Sequence, residues 1–250
     1  MFSKRHSQIM RLLDEQGTLA TSVLADRLGV SSETVRRDIA ALARDGKVAR
    51  THGAVSLPAA VGEAPFERRL RENAVEKRAI ARAVSADIAD GDSIMLDTGT
   101  TTSILARALL ERRRLTVVTN SSDIARTLAT VNGNRVYMAG GELRSDSGAA
   151  FGPAAVEFIA RFQVDHAIIS AGAVDSEGVM DYELGEAEFA RMLLARGTRR
   201  LVITDHTKFG RRGLVRVCGF DALDEIVTDR APPEAIAQAL AFSGTRVTIA

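Results

Sequence analysis

The run Asp97-Thr98-Gly99-Thr100-Thr101-Thr102-Ser103 puts a carboxylate, five hydroxyls and a glycine into seven consecutive residues. It follows a short apolar stretch and leads into a helical pattern. Backbone N–H groups at such a helix start, with several hydroxyls and a permissive glycine, make a cradle for an anion. Other polar runs also follow apolar stretches. One is Asn120-Ser121-Ser122. In Gly140-Gly141-Glu142-Leu143-Arg144 the glycines let backbone approach a ligand and Arg144 can pair with an oxyanion. In Asp205-His206-Thr207-Lys208-Phe209-Gly210, Lys208 supplies a second cation. Each run alone has an ordinary explanation as a capped turn. Together they predict a small phosphorylated ligand held by Asp97, Thr98, Gly99, Thr100, Thr101, Asn120, Gly140, Gly141, Arg144, Asp205 and Lys208, with Glu186 a further candidate carboxylate outside these runs. The carboxylates would accept hydrogen bonds from ligand hydroxyls.

A second constellation lies near the start of the chain. Ser31 can cap a helix in which Val35, Ile39 and Leu42 form one apolar stripe. Ser32, Glu33, Thr34, Arg36 and Arg37 lie at its beginning, mostly off that stripe. A helix carrying Ile9, Leu12 and Leu13 precedes it, then a shorter one from about Thr21, which can cap it, to Gly29. Lys47–Arg50 and Ala54–Leu57 flank Thr51-His52-Gly53 as a two-stranded wing. Helix, turn, basic helix and wing predict a winged helix-turn-helix. Ser31, Ser32, Glu33, Thr34, Arg36 and Arg37 would face double-stranded operator DNA, with Arg50 and His52 on its phosphate backbone. Residues 1–57 hold nine Lys/Arg against six Asp/Glu, whereas the remainder holds 24 against 26. The basic excess therefore sits where a polyanion would bind.

The elements that must position these residues follow from the pattern. Residues 1–57 form the DNA-binding domain, 58–66 a Pro-bracketed linker and 67–250 a larger domain. A charged helix is expected from roughly Phe66 to Ala89. Strands are expected at Ser93–Asp97, Leu115–Thr119, Arg135–Ala139, His166–Ala171, Arg200–Thr204, Glu225–Thr228 and Arg246–Ile249. Helices are expected at Thr102–Glu111, Asp123–Thr130, Ala154–Phe162, Glu186–Ala195 and Pro233–Phe242. The alternation implies an α/β fold with a Rossmann-like parallel sheet and helices on both faces. In such sheets ligands sit at the C-terminal ends of strands.

Ser32-Glu33-Thr34-Val35-Arg36-Arg37-Asp38-Ile39, with Leu42, Gly46, Arg50 and His52-Gly53-Ala54, resembles the DNA-binding signature of the DeoR family of bacterial repressors. Ala54 departs from it, because a second glycine is usual there. The resemblance continues through Asp97-Thr98-Gly99-Thr100-Thr101, Thr119-Asn120, Gly140-Gly141-Glu142-Leu143-Arg144, Phe151-Gly152-Pro153-Ala154-Ala155, Glu186-Ala187 and Asp205-His206-Thr207-Lys208-Phe209-Gly210. It implies a sensor domain sharing its fold with ribose-5-phosphate isomerase, glucosamine-6-phosphate deaminase and CoA transferases. It further implies a repressor of a sugar or polyol catabolic operon, released from its operator by a phosphorylated sugar or polyol. Glycerol 3-phosphate or a related polyol phosphate is the first expectation.

Other classes are disfavoured. No stretch is long and apolar enough for a membrane span, and the first residues do not read as a secretory signal. One cysteine, Cys218, permits no internal disulfide and reads as a packed thiol. A cytoplasmic protein is expected. The histidines His6, His52, His166 and His206 lie far apart, so neither a metal nor another cofactor is expected. No Gly-x-Gly-x-x-Gly follows a strand and no P-loop occurs, which argues against a nucleotide. The alternative is a sugar-phosphate isomerase or deaminase with a DNA-binding appendage. Asp97, Asp181, Glu183, Glu186 or Asp205 would then be its base. Fusion to a DNA reader favours a regulator, not an enzyme. A homo-oligomer, dimer or tetramer, is expected because one recognition helix reads few base pairs.

Overall fold

The computed structural model describes residues 4–16, 18–45, 47–51, 54–56 and 63–250. The chain divides into two units, residues 1–68 and 69–250.

The first unit runs α1 (Lys4–Gln16), β1 (Leu19–Ala20), α2 (Thr21–Leu28), α3 (Ser32–Arg44), β2 (Ala49–Thr51) and β3 (Ala54–Ser56). The helical stripes meet in one core of Ile9, Leu13, Leu24, Val35, Ile39 and Leu42, closed by Val48 and Val55. Gly29 ends α2 in the left-handed conformation, φ 64°, which glycine adopts without steric cost. Ser31 caps α3, its hydroxyl accepting the Thr34 N–H at 3.2 Å. Thr21 does not cap α2: it is the first helical residue, and Ala20 occupies the cap without a side-chain bond. The reason is that Ala20 is held in β1, which pairs with β3. The wing is thus a three-stranded antiparallel sheet in the order β1-β3-β2. Ala54 lies within β3, opposite Ala20 on one side and Thr51 on the other, so an extended residue suits that position. His52 and Gly53 lie outside the described residues, as does the Arg50 side chain.

At the second unit the expected helix from Phe66 to Ala89 is two helices, α4 (Phe66–Arg71) and α5 (Ala74–Ala86). Asn73 breaks it with φ 52°. The sheet contains β4 (Ser93–Leu96), β5 (Thr116–Thr119), β6 (Arg135–Met138), β7 (Val164–Ser170), β10 (Gly197–Ile203), β12 (Glu225–Thr228) and β13 (Arg246–Ile249). All seven are parallel, in the order β13-β12-β10-β7-β4-β5-β6. Alternate side chains point to opposite faces. Ile94, Leu96, Val117, Leu201 and Ile203 face α5, α6 (Thr100–Ala108) and α7 (Ser122–Leu128). Met95, Val118, Ala167, Ile169 and Val202 face α8 (Pro153–Ile159), α9 (Leu184–Leu194) and α10 (Glu234–Ser243). Helices therefore cover both faces, and strands buried on both sides read as continuous apolar runs.

A small antiparallel sheet is the main departure from the sequence reading. It joins β8 (Ala173–Asp175), β9 (Gly178–Asp181) and β11 (Val215–Cys218). Gly178, φ 140°, comes so close to the neighbouring strand β11 that a Cβ there would lie 2.2 Å from the Cys218 carbonyl oxygen. Burial pushes the Cys218 thiol up to about 12, in keeping with a packed thiol.

Candidate functional site

From β4 the chain builds outward through β5 and β6, then returns to β7 beside β4 and builds the other way. The sheet's topological switch point thus lies between β4 and β7, where a crevice opens outside the strand ends. Asp97 and Ser170 stand on the two sides of it.

The Asp97 carboxylate is buried and spans this switch point. Its Oδ2 accepts the Ser170 N–H at 3.0 Å and the Ser170 hydroxyl at 3.3 Å. Its Oδ1 has no partner. Burial pushes the carboxyl up to about 7, opposed by the hydrogen bonds from Ser170 and reinforced by Asp181. Gly99 is required by its neighbour: a Cβ would sit 1.9 Å from the Ser170 hydroxyl oxygen. Helix α6 begins directly after it, with no side chain capping its first N–H groups. Thr102 bends back to donate to the Asp97 and Gly99 carbonyls, both at 3.0 Å. Thr100 and Thr101 are buried beside it. The hydroxyls of Thr98 and Ser103 are buried without partners.

Asn120, at the end of β5, donates through Nδ2 to the Ala150 carbonyl at 2.9 Å, while its Oδ1 is buried and unsatisfied. The Ala150 N–H returns a bond to the Asn120 carbonyl at 3.0 Å. This ties the loop after β6 onto β5. Within that loop Gly141 needs its glycine, φ 145°, whereas a side chain at Gly140 would meet nothing within 4 Å. Arg144, expected to pair with an oxyanion, has a carboxylate partner within the protein. Its Nη1 donates to Glu186 Oε1 at 2.5 Å, and its guanidinium lies 4.4 Å over the Phe151 ring. The planar group is therefore held in a fixed attitude by α9 and the ring beneath it.

Asp205 follows β10 and is buried. It accepts the Thr207 N–H at 3.1 Å and the Thr207 hydroxyl at 2.5 Å, capping the turn that presents Lys208. His206 is fixed by Asp229, which accepts its backbone N–H at 2.7 Å and lies 2.7 Å from its Nδ1. Two residues on the opening turns of α5 also reach this region. Asn73 donates to Asp205 at 3.2 Å and to Thr207 at 3.3 Å. Lys77 is buried and donates to the Arg69 carbonyl at 2.5 Å. Burial pulls its ammonium down to about 8, opposed by Asp205. Sequence reading missed Ser170, Asn73 and Lys77. Ser170 ends an apolar strand, a weak signal, and nothing local marks the other two.

On the first unit, Ser31, Ser32, Glu33, Arg36 and Arg37 are exposed and Thr34 is half-buried. The Arg36 and Arg37 side chains are 67% and 80% accessible, with Glu33 at 3.9 and 3.5 Å. Asp38, on the same helix, faces the other way. It accepts from Arg5 Nε at 2.5 Å and Nη2 at 3.1 Å, and lies 3.2 Å from His6 Nε2. The guanidinium holds its carboxyl below the usual carboxylate range. Asp38 thus fastens the recognition helix to α1.

Two family descriptions match this chain: a DeoR-like helix-turn-helix domain over residues 5–60 and a DeoR C terminal sensor domain over residues 72–230. The chain belongs to the DeoR family. It is 34% identical to the glycerol-3-phosphate regulon repressor of Escherichia coli (strain K12), covering 95% of both chains. It is 35% identical to the HTH-type transcriptional repressor CsqR of the same strain, covering 98% of this chain and 94% of that one. It is 34% identical to the transcriptional repressor AccR of Agrobacterium fabrum (strain C58 / ATCC 33970), covering 90% and 88%. These relatives are named as repressors, in line with the expectation of a regulator and not an enzyme. Among solved structures, ribose 5 phosphate isomerase A from Neisseria gonorrhoeae matches with TM-score 0.40 and 16% identity, over 54% of this chain and 53% of that one. So partial a likeness carries no argument about function. Among the described residues, no helix is long and apolar enough to cross a membrane.

Proposed function

We propose that this DeoR-family protein is a cytoplasmic transcriptional repressor whose hold on operator DNA is relieved by a phosphorylated sugar or polyol. Glycerol 3-phosphate or a related polyol phosphate is the leading effector. Ser31, Ser32, Glu33, Thr34, Arg36 and Arg37 would meet the duplex in the major groove, with Arg50 and His52 on its backbone. The protein would act as a homo-oligomer, so that paired recognition helices read paired half-sites.

The observation that carries the effector reading is a set of buried oxygens without partners after β4, in the first turn of α6 and after β5: Asp97 Oδ1, Thr98 Oγ1, Ser103 Oγ and Asn120 Oδ1. Folded proteins rarely leave such groups unsatisfied. Around the uncapped start of α6 they suit a ligand with an anionic end and several hydroxyls. The phosphate would take the α6 N–H groups, Thr100, Thr101, Arg144 and Lys208, and the hydroxyls would donate to Asp97 and Asn120. Release of DNA requires only that the ligand favour an arrangement of the two units unsuited to the operator.

A thermal-shift panel tests this. It contains glycerol 3-phosphate, phosphorylated sugars, inorganic phosphate and unphosphorylated glycerol. A ligand at 100 times its Kd adds ~2.7 kcal/mol of stability. A shift with a phosphate ester and none with glycerol is expected. No shift with any phosphate ester overturns the reading, and multiple turnover of a sugar phosphate would favour an enzyme.

A further inference from the structure

Asn73 sits where the second unit begins. Arg69 is the first residue of that unit, and α5 starts at Ala74. Asn73 holds φ 52°, a conformation that is costly for most residues but that asparagine tolerates. Its side chain does not cap α5. Instead both its bonds reach more than 130 residues along the chain, to Asp205 and Thr207. Those are the residues that shape the turn carrying Lys208. One turn further into α5, Lys77 is buried and binds the carbonyl of Arg69. The entry segment, residues 69–77, is therefore closed on itself by Lys77 and fastened to the Asp205–Lys208 turn by Asn73.

We propose that Asn73 is a positioning residue that couples the effector-binding turn Asp205–Lys208 to the segment leading to the DNA-binding unit. The coupling rests on the effector reading above. A ligand drawing Lys208 or Asp205 toward its phosphate and hydroxyls changes the acceptors that Asn73 holds. The entry segment then shifts with them, because Lys77 makes it one piece. By linkage, operator binding and effector binding oppose each other through this contact.

The test uses the full chain and Asn73→Gly, which keeps the positive φ and removes both hydrogen bonds. Asn132→Gly is the control. Asn132 is also left-handed, φ 57°, but bonds the Leu110 and Arg112 carbonyls elsewhere. The duplex is one selected by repeated binding from a randomised pool, and the effector probe is glycerol 3-phosphate. For Asn73→Gly, duplex affinity without effector and effector affinity without duplex should each stay within about threefold of wild type. The effector-induced loss of duplex affinity should fall by at least about tenfold, or ~1.4 kcal/mol of coupling. Asn132→Gly should respond as wild type.

Normal release from Asn73→Gly overturns the proposal, as does loss of effector binding itself. If wild type is not released, the effector reading fails, and hydrogen exchange of the ligand-free proteins still judges the clamp. Faster exchange in Asn73→Gly at both 69–77 and 205–208 supports it. A change confined to one segment overturns it.

Discussion

Asp97 and Ser170 link the C-terminal ends of the paired strands β4 and β7: the Ser170 N–H and hydroxyl both bind Asp97 Oδ2, leaving Oδ1 without a protein partner. This contact fixes both the attitude of the buried carboxylate and the space left beside Gly99.

Burial raises the Asp97 carboxyl from its ordinary 3.8 to about 7. Between those values the folded protein binds more protons at this group than the unfolded chain does. The stability it contributes is therefore fully present below 3.8 and lost as pH rises to about 7, at ~1.4 kcal/mol per pH unit as an upper limit. Asp97→Asn keeps an oxygen for Ser170 without the charge. Its Tm advantage over wild type should grow from pH 4 to pH 7 and level off above. Thermal melts across this range check it; a difference independent of pH contradicts the buried-charge account. Where a ligand hydroxyl donates to Asp97 Oδ1, the same variant should bind the ligand more weakly.

Gly99→Ala should destabilise the second unit by ~1–3 kcal/mol through overpacking. A Cβ there would lie 1.9 Å from the Ser170 hydroxyl oxygen and 2.7 Å from the Ser170 Cβ. Adding Ser170→Gly removes both obstacles and should recover much of the loss, while adding Ser170→Ala should not. A double-mutant cycle in Tm measures this. Additive effects would show that some other strain limits Gly99.

Arg144 is held by Glu186 and stacked on Phe151, so its charge is partly cancelled before any ligand arrives. Arg144→Met should weaken binding of a phosphate ester by roughly 10–100-fold, as expected for a charged hydrogen bond. Glu186→Gln should have the opposite effect. The amide still accepts from the guanidinium but no longer neutralises it, and inorganic phosphate affinity should rise severalfold. Calorimetric titration decides both. Weaker phosphate binding in Glu186→Gln would assign the carboxylate a direct role with the ligand.

The recognition helix carries two kinds of charge. Arg37 is highly exposed and, among the described residues, pairs with Glu33, so Arg37→Ala should cost ~1–3 kcal/mol of duplex affinity and leave the melting of the unit unchanged. Asp38 is pinned to Arg5 and His6. Its lowered pKa means its stabilisation is present above 3.8 and lost as pH falls through the folded value. Asp38→Asn should lower the Tm of the unit near neutral pH, with the gap from wild type closing in acid. Equal melting of Asp38→Asn and wild type at pH 7 would contradict its role as a fastener.

The middle of the sheet was legible because its strands are buried on both faces: Ile94-Met95-Leu96 and Ala167-Ile168-Ile169 admit little but a central parallel strand. The strand-end motifs were legible because glycines, hydroxyls and carboxylates there interrupt apolar runs. What failed was too short or depended on distant partners. β8 and β9 are the two arms of one hairpin, only three and four residues long, too short to show a period, and β11 joins β9 from more than thirty residues away. The break at Asn73 interrupts an otherwise helical pattern because Asp205 and Thr207 claim its side chain. Thr21 read as a cap because pairing of Ala20 with β3 is non-local.

The central claim is that a phosphorylated metabolite bound at the Asp97–Ser170 switch point loosens the protein's hold on DNA. Fluorescence anisotropy of the full chain on a selected duplex, titrated with glycerol 3-phosphate and related phosphate esters, tests it most directly. The account predicts that at least one phosphate ester, and not its unphosphorylated parent, weakens duplex binding by at least about tenfold, with the effect lost in Asp97→Asn and Arg144→Met. Duplex binding that no phosphate ester alters would contradict it.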